Sequence, residues 1–335
     1  VPAAELKPER KRGVAAVFAG LLLAMFVSTL SETVTATALP TIVGDLGGVD
    51  HMQWVTTAYI LASTIMMPIY GKLGDLFGRK YLFIIALSIF IVGSATCGLA
   101  PSMDGLIAGR AVEGLGGGGL IILAQATIAD IIPPRQRGKY MGVMGSVFAV
   151  STVVGPLLGG WFVQVTGWRW LFAFNIPLAL LAIAAVAFFL TKPVRRDDRP
   201  PIDIGGMMAM AVSVSSLVLA TAWGGTLFPW ISPQIFALFA LFFVAAVAFV
   251  LVERKAKEPI IPMLLFKNRN FVVCTVTGMF IMLGMMGTIS YLPTYFQIVD
   301  DLNATAAGYL VAPMNAAWFA ASLLSGYLVN KLGTY

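Results

Sequence analysis

Ten stretches of apolar residues run along this chain, at about 14–43, 54–70, 81–99, 104–129, 139–163, 169–190, 204–222, 233–252, 271–297 and 305–330. Each approaches or exceeds the roughly 18–20 residues that a helix needs to cross a bilayer. Isolated strands would leave backbone groups unpaired in hydrocarbon, so the pattern predicts ten membrane-spanning helices. The breaks between them carry turn residues, as at Asp45-Leu46-Gly47-Gly48 and Pro133-Pro134. Residues 1–12 are polar and basic and read as a flexible, trimmed tail. A cleaved leader is the rival reading of the first stretch, because Ala36-x-Ala38 imitates a cleavage site. The length of the stretch, and the similar ones that follow, favour a spanning helix.

The most informative break is the Gly-rich polar segment from Gly71 to Lys80, read as a turn between the second and third helices. Its skeleton, Gly71-x-Leu73-x-Asp75-x-x-Gly78, returns as Gly326-x-Leu328-x-Asn330-x-x-Gly333, 255 residues later. Leu39-Pro40-Thr41 returns as Leu292-Pro293-Thr294 at an offset of 253. Two echoes at nearly one offset predict an internal duplication. The expected organisation is a cytoplasmic tail at 1–13 and a six-helix bundle at 14–190. Linkers and two inserted helices follow at 191–260, and the first two helices of a second bundle at 261–335. Four further helices are expected beyond them.

Composition agrees with a lipid environment. The chain is 59% hydrophobic and 11% charged, against roughly 25% charged residues in soluble domains. A formal charge of +6 could suggest nucleic acid, but the positions of the charges argue otherwise. With the N-terminus inside and the helices alternating, 20 of the 22 Lys and Arg residues fall on one side, which is the positive-inside pattern. The exceptions are Arg110, within the fourth helix, and Arg169, at the outer end of the sixth. Cys97 and Cys274 lie in apolar stretches and read as small buried hydrophobes. A single histidine, His51, does not make a metal site, and none is expected.

Five stretches in register carry a family resemblance. The 71–80 segment resembles the loop 2–3 signature of the major facilitator superfamily. Leu106 to Gly114, with Arg110, resembles its helix 4 motif. Gly155-Pro156-Leu157-Leu158-Gly159-Gly160 resembles the antiporter motif of helix 5. Leu30 to Pro40 resembles the helix 1 motif of drug:proton antiporters. Trp168-Arg169-Trp170-Leu171-Phe172 with Asn175-Ile176-Pro177 is similar to the helix 6 entry of the fourteen-helix branch. This resemblance implies two six-helix bundles, a cavity between them and rocking-type alternating access. It also implies a charge latch at the inner face, built from Gly71, Asp75, Gly78 and Arg79 with Asp130. Two positions depart from the usual pattern: Ser31 stands where Asp is usual, with Glu32 after it, and Glu113 stands where Gln is usual.

Charges inside a membrane are costly and therefore functional suspects. Glu32, Arg110 and Glu113 are the embedded ones. Glu32 lies roughly 16 Å and Arg110 roughly 9 Å from the outer ends of their helices, at 1.5 Å per residue. Long side chains could bridge that gap, and Arg110 and Glu113 are i,i+3 neighbours. The expected arrangement is a triad in which Arg110 serves one or both carboxylates. Burial favours the protonated form of a carboxylate, whereas an adjacent arginine favours the charged form. A site balanced between the two can take a proton from one side and release it to the other.

Gly155-Pro156 is expected to break the fifth helix and serve as a gating bend, with a packing kink as the alternative. Gly114 and Gly118 give the spacing for close helix approach rather than a phosphate cradle. Ser31, Met282, Met286, Tyr291 and Asn315 are candidates to line a substrate cavity, and Trp168, Arg169 and Trp170 read as interface anchors.

The resulting expectation is an all-α polytopic protein of the cell membrane with a cytoplasmic N-terminus. It exports lipophilic compounds, cationic ones among them, in exchange for protons. The alternative is an exporter dedicated to one metabolite or antibiotic; a channel or a membrane enzyme ranks last. The expected partners are the bilayer, a small lipophilic substrate and protons, with no nucleic acid. The protein is expected to be a monomer and to need no cofactor beyond the proton gradient.

Overall fold

The computed structural model describes residues 8–190, 203–256 and 258–300, with isolated positions beyond 309. Among the described residues there is no strand. Nine α-helices are described: α1 Pro8–Leu46, α2 Met52–Phe77, α3 Arg79–Gly98, α4 Met103–Ile131, α5 Pro134–Val165, α6 Arg169–Phe189, α7 Ile204–Trp223, α8 Pro233–Glu253 and α9 Arg269–Ile298. Seven of them are long and apolar enough to cross a membrane; α2 and α9 fall outside that set. Of the expected tenth helix only isolated positions from Leu310 to Leu328 are described, each of them helical; Asn315 and, apart from Leu328, the second copy of the Gly-rich segment lie outside the described residues.

Three local expectations need correction. The basic tail is helical from Pro8 onward: Pro suits a first helical turn, and Glu-Arg-Lys-Arg are good helix formers. The 71–80 segment is not a long turn, because α2 continues through Phe77 and α3 starts at Arg79. The reversal is confined to Gly78 at φ +91°, a conformation that favours glycine. Finally, α5 is not broken at Gly155-Pro156 but continues to Val165 with Pro156 inside it. A side chain at position 155 would collide with Thr33 of α1, so this glycine serves a helix crossing.

Helix α4 is the hub of the first six helices. It packs against α2 and α3, while α1 packs against α5 and α6, and α3 against α6. Close approach depends on the glycines of α4. A Cβ at Gly114 would meet the Tyr59 backbone of α2, and one at Gly116 the Ala86 and Phe90 backbone of α3. Two apolar cores result. One includes Val27, Phe90 and Leu120, and the other Leu30, Cys97 and Leu106. On α1, α3 and α4 the buried residues between these cores are polar or small: Ser28 and Thr29, Gly93 and Ser94, and Arg110, Glu113, Gly114 and Gly116 to Gly119. A buried polar layer therefore crosses the middle of the bundle.

The α7–α8 hairpin packs on α2. Trp54 and Trp223 meet edge to face at 5.7 Å between centroids near one end. Near the other, Lys72 of α2 pairs with Glu258 at 2.7 Å. Glu253 accepts the Ile260 and Ile261 N–H groups, which holds the chain after α8 in a turn beside that pair.

Cys97 is buried as expected, but Cys274 is exposed on α9. Trp168 is not an interface anchor. It is buried, and its Nε1–H donates to Asp45 Oδ2 at 2.8 Å, joining α6 to the end of α1.

Candidate functional site

The polar layer holds one ion pair out of contact with solvent. Arg110 and Glu113, 1% and 0% exposed, lie one turn apart on α4 with Nη1 2.7 Å from Oε2. A buried pair is retained only when its remaining hydrogen-bonding capacity is met. Here four neighbouring helices supply partners. Glu113 Oε1 accepts Ser31 Oγ from α1 and Ser94 Oγ from α3, both at 2.7 Å, and Asn175 Nδ2 from α6 at 3.4 Å. Arg110 Nε donates to the Val55 carbonyl of α2 at 3.3 Å, and Nη1 donates to Ser31 Oγ at 3.2 Å. The guanidinium lies over the Tyr59 ring at 4.2 Å, a cation–π contact that strengthens when desolvated. Ser31 bridges the pair, accepting from Arg110 and donating to Glu113. One site thus ties together α1, α2, α3, α4 and α6.

Glu32 is not part of this cluster. Adjacent residues on a helix point about 100° apart, and the bond that turns Ser31 inward turns Glu32 outward, where it is exposed. It makes no hydrogen bond or ion pair with a described residue and senses Arg110 only through space. Of the two expected arrangements, Arg110 serving one carboxylate or both, the structure has the contact to Glu113 alone. Sequence reasoning also missed Ser94, Asn175 and Tyr59. Ser94 and Asn175 are polar residues inside apolar stretches, the same signal that singled out the charged residues.

At the face that carries the N-terminus, Arg79 joins two acids. Its Nη2 lies 2.6 Å from Asp75 Oδ1 across the α2–α3 reversal, and its Nε pairs with Asp130 Oδ2 at the end of α4. Gly78 makes the sharp reversal that places Arg79 there. Gly71 is helical and faces Ile122 of α4.

Among the described residues the candidates for a cavity are not brought together. Ser31 belongs to the buried pair. Met282 and Tyr291 stand exposed on α9, which among the described residues packs mainly on the 3-10 turn Met263–Lys267. The Met286 side chain and Asn315 lie outside the described residues. Among the described residues no group of acids, His and Cys could hold a metal ion.

Residues 21–335 match the Major Facilitator Superfamily. The chain is 43% identical over 316 residues to the multidrug transporter protein MdtP of Bacillus subtilis (strain 168), covering 94% of this chain and 58% of that protein. It is 39% identical over 320 residues to multidrug resistance protein 3 of the same organism, covering 94% and 61%. It thus spans about 60% of the length of these relatives. Among solved structures, the proton:xylose symporter XylE superposes with a TM-score of 0.60 at 15% identity, over 96% of this chain and 70% of that one, a likeness of fold alone. The protein is a multi-pass membrane protein, and the chain belongs to the Major Facilitator Superfamily.

Proposed function

We propose that this chain is the N-terminal part of a proton-driven exporter of lipophilic compounds, cationic ones among them, of the fourteen-helix branch. The observation that carries the reading is Glu32, an exposed carboxylate well inside the membrane-spanning α1 with no partner among the described residues. Hydrocarbon is a costly neighbour for such a group. A water-filled cavity between this bundle and a second one would remove that cost, and the greater length of the relatives leaves room for a second bundle. The multidrug names of those relatives support an efflux role.

In this reading the two glutamates have different tasks. Glu113, satisfied by four polar side chains, fixes α1, α3, α4 and α6 into one body. Glu32 exchanges a proton for a lipophilic cation in the cavity. The Asp75–Arg79–Asp130 cluster at the N-terminal, cytoplasmic face holds the inner gate in one of two states. Proton and substrate act by favouring one state over the other.

The test is transport by the full-length protein in proteoliposomes, with ethidium as the lipophilic cation. An imposed pH gradient should drive ethidium against its own gradient, and internal ethidium should accelerate exchange. Ethidium flux that ignores the pH gradient, or no counterflow, would contradict the reading.

A further inference from the structure

The outward sides of α3 and α6 present large apolar residues, among them Val92, Leu181 and Phe188, with Leu99 just past the end of α3. Within a membrane protein such a surface faces acyl chains. At the end opposite the N-terminus the two helices part around a cavity of about 260 Å³ lined by Ala95, Gly98, Leu99, Ala173 and Ile176, with Arg169 at its rim. That volume is short of the roughly 300–1,000 Å³ typical of drug-sized sites. A slot of this size between two lipid-facing helices suits a length of hydrocarbon chain.

The rim adds a charge. Arg169 is exposed and makes no ion pair with a described residue. Its Nη2 donates to the Ala100 carbonyl at 3.3 Å and its guanidinium lies 4.3 Å from the Trp168 ring. These contacts fix the guanidinium and leave most of its five N–H donors unused. Trp170, beside it, is exposed, as expected of an indole at headgroup level. The other charged groups that the first six helices carry at this end, Asp45, Asp50 and Asp104, are acidic, with His51 beside Asp104, and Asp300 after α9 is acidic too. Arg169 is therefore the one fixed cation that the described residues offer an anion there.

We propose that the α3–α6 cavity binds a glycerophospholipid of the leaflet opposite the N-terminus, its phosphodiester on Arg169 and one acyl chain in the slot. The inference rests on the membrane-spanning fold and not on the transport reading. It also places the lipid against the polar layer. Ser94, at the floor of the cavity, donates to Glu113, and Ile176 follows Asn175, which donates to the same oxygen. A bound chain would close the buried pair from the lipid side.

The experiment measures thermal unfolding of the delipidated full-length protein against added lipid, since a ligand that binds the folded state raises the midpoint with concentration. Dioleoylphosphatidylethanolamine should raise it, whereas dioleoylglycerol and inorganic phosphate should not. Arg169→Gln should weaken the effect at least tenfold, Arg169→Lys should keep most of it, and Ala173→Phe should remove it by filling the slot. A photoactivatable phosphatidylethanolamine on the unmodified protein should label α3 and α6 near residues 95–99 and 173–176, which requires no variant to fold. Equal stabilisation by dioleoylglycerol, an unchanged response in Arg169→Gln, or labelling confined to other helices would overturn the proposal.

Discussion

Ser31 of α1 donates its hydroxyl hydrogen to Glu113 of α4 across 2.7 Å, deep in the bundle, while the next residue, Glu32, faces outward. This separation divides the embedded charges into a fixed pair and an available carboxylate, and several consequences can be measured.

Removing either partner of the buried pair leaves the other charge without compensation, which costs about 3–5 kcal/mol. Arg110→Ala and Glu113→Ala should each lower the unfolding midpoint markedly. The double variant should lose less than the sum, because it leaves no orphan charge. Thermal unfolding in detergent checks this; simple additivity would show that the two side chains do not act as a pair.

Ser31→Ala removes a donor to Glu113 and an acceptor for Arg110, with an expected cost of about 1–3 kcal/mol for an unsatisfied buried group. Glu32→Ala removes no hydrogen bond or ion pair with a described residue and should change stability little. The same unfolding assay should rank Ser31→Ala well below Glu32→Ala. The reverse order would mean that Glu32, not Ser31, is the structural residue.

Gly78 holds φ +91° between α2 and α3. Gly78→Ala should destabilise by about 1 kcal/mol or more, since a side chain is strained there. It should also displace Arg79 from Asp130. Arg79→Gln breaks the cluster without that backbone strain. Cysteines introduced near the N-terminal face should react faster with a water-soluble maleimide in both variants than in the parent.

The Lys72–Glu258 pair is partly exposed, so its contribution to stability is small, about 0–1 kcal/mol. Its value is positional, tying the α7–α8 hairpin to α2. A zero-length carbodiimide should link the two residues, giving a joined peptide by mass spectrometry that Lys72→Gln abolishes. Lack of the link in the parent would place the hairpin elsewhere.

The helices were legible because lipid imposes one rule on backbone groups, and long apolar runs such as 233–252 obey it plainly. The α2–α3 boundary was not, since Gly71, Gly74 and Asp75 look like a loop until α4 packs against them. Arg110 and Glu113 stood out through charge and i,i+3 spacing. Their orientation toward Ser94 and Asn175 did not, because which way a helix faces depends on its neighbours. For the same reason α1 buries Ser31 and exposes Glu32, although charge alone singled out Glu32. Trp168 misled in the same way: its position beside Arg169 and Trp170 suggested the interface, while its Nε1–H bond to Asp45 buries it.

The most direct measurement is proton release from the purified full-length protein on adding ethidium, comparing the parent with Glu32→Gln. If Glu32 exchanges the proton, the parent releases protons, while Glu32→Gln binds ethidium and releases none. Release from Glu32→Gln equal to that of the parent would contradict this role and move proton coupling to another group.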